Sequence, residues 1–333
     1  MSARRPCAAG KVAGAALLAA ALAIQPVPTS AATPTVTGSF DAGGFLYRHS
    51  SATCPATAAG DTTTAPVALP ADGAWHTTTG GSGVRTYAGT RWSRSVSTTA
   101  RITRDARGGV RVDVRANAAS SIRPNPTATC GFDDEVAGTA EVEVTLPVAS
   151  WVVARSRVLD QAGNGQAHGH VGVSNWPGPL RLDVTTGGTT KPKRFPAGTY
   201  DATFYSGART SVSTGTTAAK AHDATVLSSA TFMPVGTRRT LRGNGRSLLV
   251  PGHRRCATHS VRVAFSAALR ARARAITITV DGTRRVRLTG KGVDRSALVL
   301  RKVAPRTAGV VRASVVLRSG ARRTMTTTSW PCT

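Results

Sequence analysis

Alternation with a period of two recurs through this chain, and the 3.6-residue period of an amphipathic helix does not. In "VRVDVRA" (110–116), Val110, Val112, Val114 and Ala116 share one face while Arg111, Asp113 and Arg115 share the other. "AEVEVTL" (140–146) turns Glu141 and Glu143 to one side and its apolar residues to the other. Segments of this kind pair as strands with one face on a core and one face in water. Tyr200, Ala202 and Phe204 repeat the pattern in "GTYDATFY" (198–205), and "ATVLSSATFM" (224–233) reads as a late strand. Between them, "RDARGG" (104–109) has the chemistry of a hairpin loop.

The expected fold class is therefore all-β. A chain of 333 residues exceeds what one core usually holds. The alternation breaks and the charge balance shifts around "PVGTRRTLRGNG" (234–245). The expected organisation is a cleaved signal peptide (1–31), an antiparallel, jelly-roll-like β-sandwich (32–235) and a basic antiparallel sandwich (236–333). In the second sandwich, strands are expected at "VRVAF" (261–265), "AITITV" (275–280), "RVRL" (285–288), "ALVL" (297–300), "VRASVVL" (311–317) and "TMTTTSW" (324–330), with a further one near "SLLV". Asp281-Gly282-Thr283 has hairpin-turn chemistry.

The first residues point to export. Arg4, Arg5 and Lys11 precede the apolar run "VAGAALLAAALAI" (12–24), followed by "QPVPTSAA". A basic start, a short apolar core and small residues form a signal peptide, with cleavage expected after Ala31 or Ala32. The run is short for a permanent membrane span, and no later stretch is apolar enough to be one. Cleavage leaves Cys54, Cys130, Cys256 and Cys332, an even count that suits disulfides outside the cytosol. Three pairings are open. Cys54–Cys130 with Cys256–Cys332 is favoured, because each bridge then closes within one domain. Loops of that length are worth roughly 4 to 5 kcal/mol each. No two cysteines have CxxC spacing, which argues against a zinc knuckle or a redox motif.

The formal net charge is +27, and it is unevenly spread. Residues 33–235 carry 18 Lys and Arg against 14 carboxylates, and residues 236–333 carry 22 against only Asp281 and Asp294. Arginine outnumbers lysine 37 to 6 in an Ala-, Thr- and Gly-rich chain, as a high-GC bacterial genome would encode, so part of the excess is a codon effect. A half this basic is drawn to polyanions. Outside a bacterium these are teichoic acid, acidic polysaccharide, an anionic lipid surface or extracellular DNA. Sequence-specific nucleic-acid reading is not expected. Phe265 and Trp330 are the only aromatics of the basic half, too few for a stacking platform.

"ITITVDGTRRVRL", a middle loop, "VVRASVVLRSGARR" and a closing cysteine resemble bacterial immunoglobulin-like modules of secreted, actinobacterial-like proteins. The resemblance covers residues 240–333 and lacks the core Trp between two cysteines of antibody domains. It implies an immunoglobulin-like sandwich used for spacing, display or adhesion. "FPAGTYDATFY" is similar to a strand entry in many secreted sandwich and jelly-roll modules, without implying a ligand.

No GxSxG elbow, HExxH pair or phosphate-binding glycine loop is present, and no catalytic residue is expected. Asp133, Asp134 and Glu135 form an acidic run that reads either as an exposed turn or as oxygen ligands for calcium. "DQAGNG" (160–165) opens like a calcium loop but lacks its later ligands and reads as a turn. In "AHGHVGVS" (167–174) a strand places Ala167, Val171 and Val173 on the core and His168 and His170 outward. Pairing Val173 with Leu180 of "LRLDVT" (180–185) sets His170 opposite Asp183 and His168 opposite Thr185. Two histidines and a carboxylate are ligands for zinc or copper. Trp176 and Trp92, in polar or turn-rich surroundings, are candidates for stacking on sugar rings. The expected function is that of a secreted, non-catalytic protein, free or retained at the envelope, which binds anionic wall or matrix polymers or carbohydrate. The alternative is an extracellular metal-dependent enzyme built on His168 and His170.

Overall fold

The structure is a computed structural model that describes residues 33–333 except 49–62, 88, 106–107, 126–129, 176, 214 and 240. The expected signal peptide, Cys54 and Trp176 lie outside the described residues. Residues Ala32–Thr333 group as one compact unit. No helix among the described residues is long and apolar enough to cross a membrane.

The chain begins with β1 (Thr35–Arg48), β2 (Val67–Ala68), β3 (His76–Tyr87), β4 (Thr90–Arg104), β5 (Val110–Arg123) and β6 (Phe132–Leu146). It continues with β7 (Ser150–Gly163), β8 (Gln166–Ser174), β9 (Arg181–Thr185), β10 (Lys193–Phe195), β11 (Gly198–Val212) and β12 (Lys220–Pro234). These twelve strands form two six-stranded antiparallel sheets, ordered β2-β1-β6-β11-β8-β9 and β10-β7-β12-β5-β4-β3. The expected alternation holds along β5, β6, β11 and β12, and "DQAGNG" lies where β7 ends and the chain turns into β8. The connectivity departs from a jelly roll. β3, β4 and β5 are successive neighbours in one sheet, a meander where a jelly roll would cross between sheets.

The interior of this first sandwich is layered. Phe40, Val112, Val144, Phe204 and Phe232 belong to its main apolar cluster, each buried side chain worth about 1.5 to 3 kcal/mol. A polar layer accompanies it. Arg94 of β4 meets Asp134 of β6 at 3.3 Å, both side chains buried, and Ser120 donates to the same carboxylate at 2.6 Å. Burial pushes the Asp134 carboxyl up, opposed by the Arg94 guanidinium and the Ser120 hydroxyl. The run Asp133–Glu135 is therefore neither an exposed turn nor a calcium loop. It lies inside β6, and alternation sends Asp134 inward and its two neighbours outward.

Seven further strands follow: β13 (Leu249–Arg255), β14 (Ser260–Phe265), β15 (Ala273–Val280), β16 (Thr283–Thr289), β17 (Ala297–Leu300), β18 (Val310–Leu317) and β19 (Arg322–Thr328). A short helix, α1 (Ala267–Arg272), leads into β15, with the Ser266 hydroxyl accepting from the Leu269 amide at its start. The sheets are β13-β14-β17 and β16-β15-β18-β19, a split of three and four strands that suits an immunoglobulin-like sandwich. Val263, Ile276, Ile278, Val315 and Met325 fill its core. Asp281 and Gly282 join β15 to β16 with φ of 50° and 83°, the left-handed pair of a type I′ hairpin. The Asp281 carboxylate also accepts from the Val310 amide at 2.7 Å.

Cys256 and Cys332 are bridged, with Cα atoms 5.5 Å apart. Cys130 is disulfide-bonded as well. The bridge beside Cys332 borders the junction with the first sandwich, where Trp151 of β7 donates its indole N–H to the Pro331 carbonyl at 2.8 Å. Trp151 also stacks on Trp330 with ring centres 6.3 Å apart.

Candidate functional site

The two histidines stand on the outer face of the first sheet, as the alternation of β8 requires. The register differs from expectation by two residues: Val173 pairs with Leu182, His170 with Thr185 and Gly172 with Asp183. The loop accounts for the shift. Asn175 accepts from the Leu180 amide through its side chain at 3.0 Å, and its own amide donates to the Leu180 carbonyl. Leu180 is thereby drawn out of the strand. A shift of two keeps the same faces, so His170 still reaches Asp183, diagonally, at 3.2 Å. Gly172 makes that diagonal contact feasible. A Cβ there would sit 3.2 Å from the His170 ring and 3.3 Å from the Asp183 carboxylate.

His168 turns elsewhere. Its Nε2 lies 3.2 Å from Glu135 of β6, and its ring stacks on Tyr205 of β11 at 5.0 Å. Tyr205 donates its hydroxyl to the same Glu135 oxygen. His168 and the Tyr205 hydroxyl hold the Glu135 carboxyl below its ordinary range, against the burial that raises it. Asp183 is shared with Arg181, and Asp133 accepts from Arg209. The metal set expected of His168, His170 and Asp183 is thus divided between two carboxylates. Among the described residues, no three His, Cys, Asp or Glu side chains converge as a metal ion needs, whether zinc, copper or calcium. The sequence reading had Glu135 only as part of an acidic run, did not single out Tyr205, and missed that both meet His168. Both lie two strands and one strand away in space but far along the chain, and only the order β6-β11-β8 brings them to His168.

Trp92 is corrected outright. It lies on β4 at 3% exposure, packed with Leu46, Ile122, Phe132 and Val212, and offers no face to a sugar. The polar neighbours in "GTRWSR" obscured a parity already present in the sequence: Trp92, Arg94, Val96, Ala100 and Ile102 all face inward.

Arginines present a different kind of surface. On the outer face of β16-β15-β18-β19, register places Arg287 beside Thr277, Arg284 beside Thr279, and Arg312 between Thr279 and Thr326. Ser314 and Thr324 continue the row. None of these four strands contains an Asp or Glu, and Arg284, Arg287 and Arg312 are exposed. Among the described residues, ion pairs join residues of the first sandwich and none joins residues of the second. Arg254 is the exception to this exposure. It is buried and donates to the carbonyls of Ala304 and Thr307 at 2.9 and 3.0 Å, and burial pushes its guanidinium below the ordinary value.

The second sheet of the first sandwich carries a related surface. Asp113 is fully buried beneath Arg101 and Arg111, at 3.0 and 2.6 Å. Across β12, Arg155 and Arg157 of β7 stand exposed with no carboxylate partner among the described residues. "VVARSRV" (152–158) alternates Arg with Val, Ala and Ser, a pattern that could have located this row.

Comparison with known proteins finds no matching family and no matching curated protein. Among solved structures, the adhesin domain of Epf from Streptococcus pyogenes is similar at 9% identity, over 88% of this chain and 95% of that chain, with a TM-score of 0.18. A likeness at that level carries no argument about fold or function.

Proposed function

We propose that the protein is a secreted, non-catalytic binding module that holds anionic wall or matrix polymers through its basic second sandwich. The outer face of β16-β15-β18-β19 carries this reading. Arg284, Arg287 and Arg312 stand there among threonine and serine hydroxyls, on strands without a single carboxylate. Guanidinium groups without an ion-pair partner among the described residues are available to a ligand, and they prefer oxyanions that accept two parallel hydrogen bonds. The driving force is release of the counterions condensed on the polymer, so affinity depends on salt. The hydroxyls between the arginines add neutral hydrogen bonds that fix the polymer's orientation more than its affinity.

The test is a titration of the full secreted chain with polygalacturonate at a series of salt concentrations. Log K should fall linearly with log salt with a slope of roughly −3, about one unit for each arginine engaged. Binding that ignores salt, or no binding at low salt, contradicts the proposal.

A further inference from the structure

Two recesses adjoin, one on the first sandwich and one at its junction with the second. The first, of about 330 Å³, lies over β12 of the first sandwich and is lined by Arg111, Arg155, Arg157, Ser229 and Thr231, among others. The second, of about 430 Å³, is lined by Thr231, Arg239, Arg242, Thr326 and Trp330, among others. Thr231 belongs to both. Thr326 in turn pairs with Arg312 on the basic outer face of the second sandwich. A continuous path therefore runs from Arg157 and Arg155, past Thr231, to Arg242 and onto the face that holds Arg312.

Arginines and hydroxyls recur along the path, between the apolar side chains of Val153, Leu227, Met233 and Trp330. Register sets short Ser229 opposite Arg155 and Leu227 opposite Arg157, so the floor of β12 is low beside Arg155. Among the described residues, no carboxylate lines either recess, and Arg111 is the lining arginine paired with a carboxylate, Asp113. The Arg239 guanidinium lies over the Trp330 ring, 3.8 Å from its centre, and this contact with the Trp330–Trp151 stack ties the junction together.

We propose that one linear acidic polysaccharide lies along this path and bridges both sandwiches, with Arg155, Arg157 and Arg242 engaging its acidic groups. This rests on the polyanion reading above and extends it from one face to a track. The occupant follows from complementarity: spaced guanidinium groups suit the acids, and Ser229, Thr231 and Thr326 suit the hydroxyls of a polyol. The arginines line recesses rather than a raised face, which favours a polymer strand over a lipid surface.

Size-defined oligogalacturonates, titrated calorimetrically against the full secreted chain, test the track. Affinity should climb with oligomer length until one chain spans both recesses, then level off. The Arg155→Glu/Arg157→Glu variant should lose at least tenfold in affinity for the longest oligomer, with its salt slope reduced by about two. Its affinity for the shortest oligomer should change far less. Both side chains are exposed, so its unfolding midpoint should match that of the unaltered chain. Arg242→Glu should shorten the length dependence in the same way. If Arg155→Glu/Arg157→Glu binds the longest oligomer within twofold of the unaltered chain, the track is wrong while the binding face on the second sandwich stands. Polyphosphate of matched length bound as tightly as the oligogalacturonate would overturn the polysaccharide assignment. Failure of the unaltered chain to bind any oligomer would remove the polyanion reading itself.

Discussion

The cluster around Glu135 and the arginine face of the second sandwich use charge in opposite ways. Around Glu135 each charged group is answered locally. His168 and Tyr205 converge on one carboxylate, Arg209 covers Asp133, and His170 and Arg181 share Asp183. On β16-β15-β18-β19 the arginines repel one another and find no acid on their own strands. Charge that is satisfied within the fold serves shape. Charge left over is a standing cost that only a ligand or counterions remove. The contrast supports the proposed recognition role of the arginine surfaces, which the sequence reading also placed on the basic half, over the alternative built on His168 and His170.

Removing partners should separate the two kinds of charge by their effect on stability. The largest loss is expected inside. Asp134→Ala leaves the buried Arg94 without its carboxylate, and chemical denaturation should show a loss of about 3 to 5 kcal/mol. A loss under about 1 kcal/mol would mean that the Arg94–Asp134 pair does not hold the polar layer together.

Glu135→Gln, at the partly exposed cluster, should cost about 0.5 kcal/mol near neutral pH. It should also change the pH profile. The native Glu135 carboxyl titrates below its ordinary value of 4.5, so its contribution is present above that value and fades as pH falls through the native one. Stability of the variant should accordingly fall less steeply below about pH 4.5. Parallel profiles for the two proteins would show that Glu135 is not held by His168 and Tyr205. The smallest effect belongs to the arginine face: Arg287→Ala should leave stability within about 0.5 kcal/mol. A larger loss there would give this arginine a structural role and weaken the contrast.

Much of the fold was legible because it is local. Period-two alternation located β5, β6 and β11, and Asp281-Gly282 announced a hairpin whose φ values then required that pair. The outward turn of His168 and His170 followed from Val171 and Val173 alone. What escaped the sequence is what depends on distant partners. "FDDE" resembles a polar turn until Arg94, 40 positions earlier, is seen to draw Asp134 inward. The β8–β9 register hinged on one Asn175 side chain that captures Leu180. The meander β3-β4-β5 is a matter of strand order, which alternation cannot encode. The charge asymmetry between the halves was plain in composition, but the arginine row of β7 hid inside a nearly neutral half. Only the sheet order shows it flanking β12 and leading to the second sandwich.

On the proposed function, a particular face rather than net charge binds the polymer. Two triple reversals on the second sandwich separate these ideas: Arg284→Glu/Arg287→Glu/Arg312→Glu on the four-stranded face, and Arg262→Glu/Arg270→Glu/Arg295→Glu at exposed positions outside that sheet. Both change the net charge equally. Measured against polygalacturonate at one fixed salt concentration, the face variant should bind about a hundredfold more weakly, roughly 1 kcal/mol per arginine, and the other should lose less than about threefold. Equal losses in the two variants would show that the protein responds to total charge alone and would contradict the assignment of a binding face.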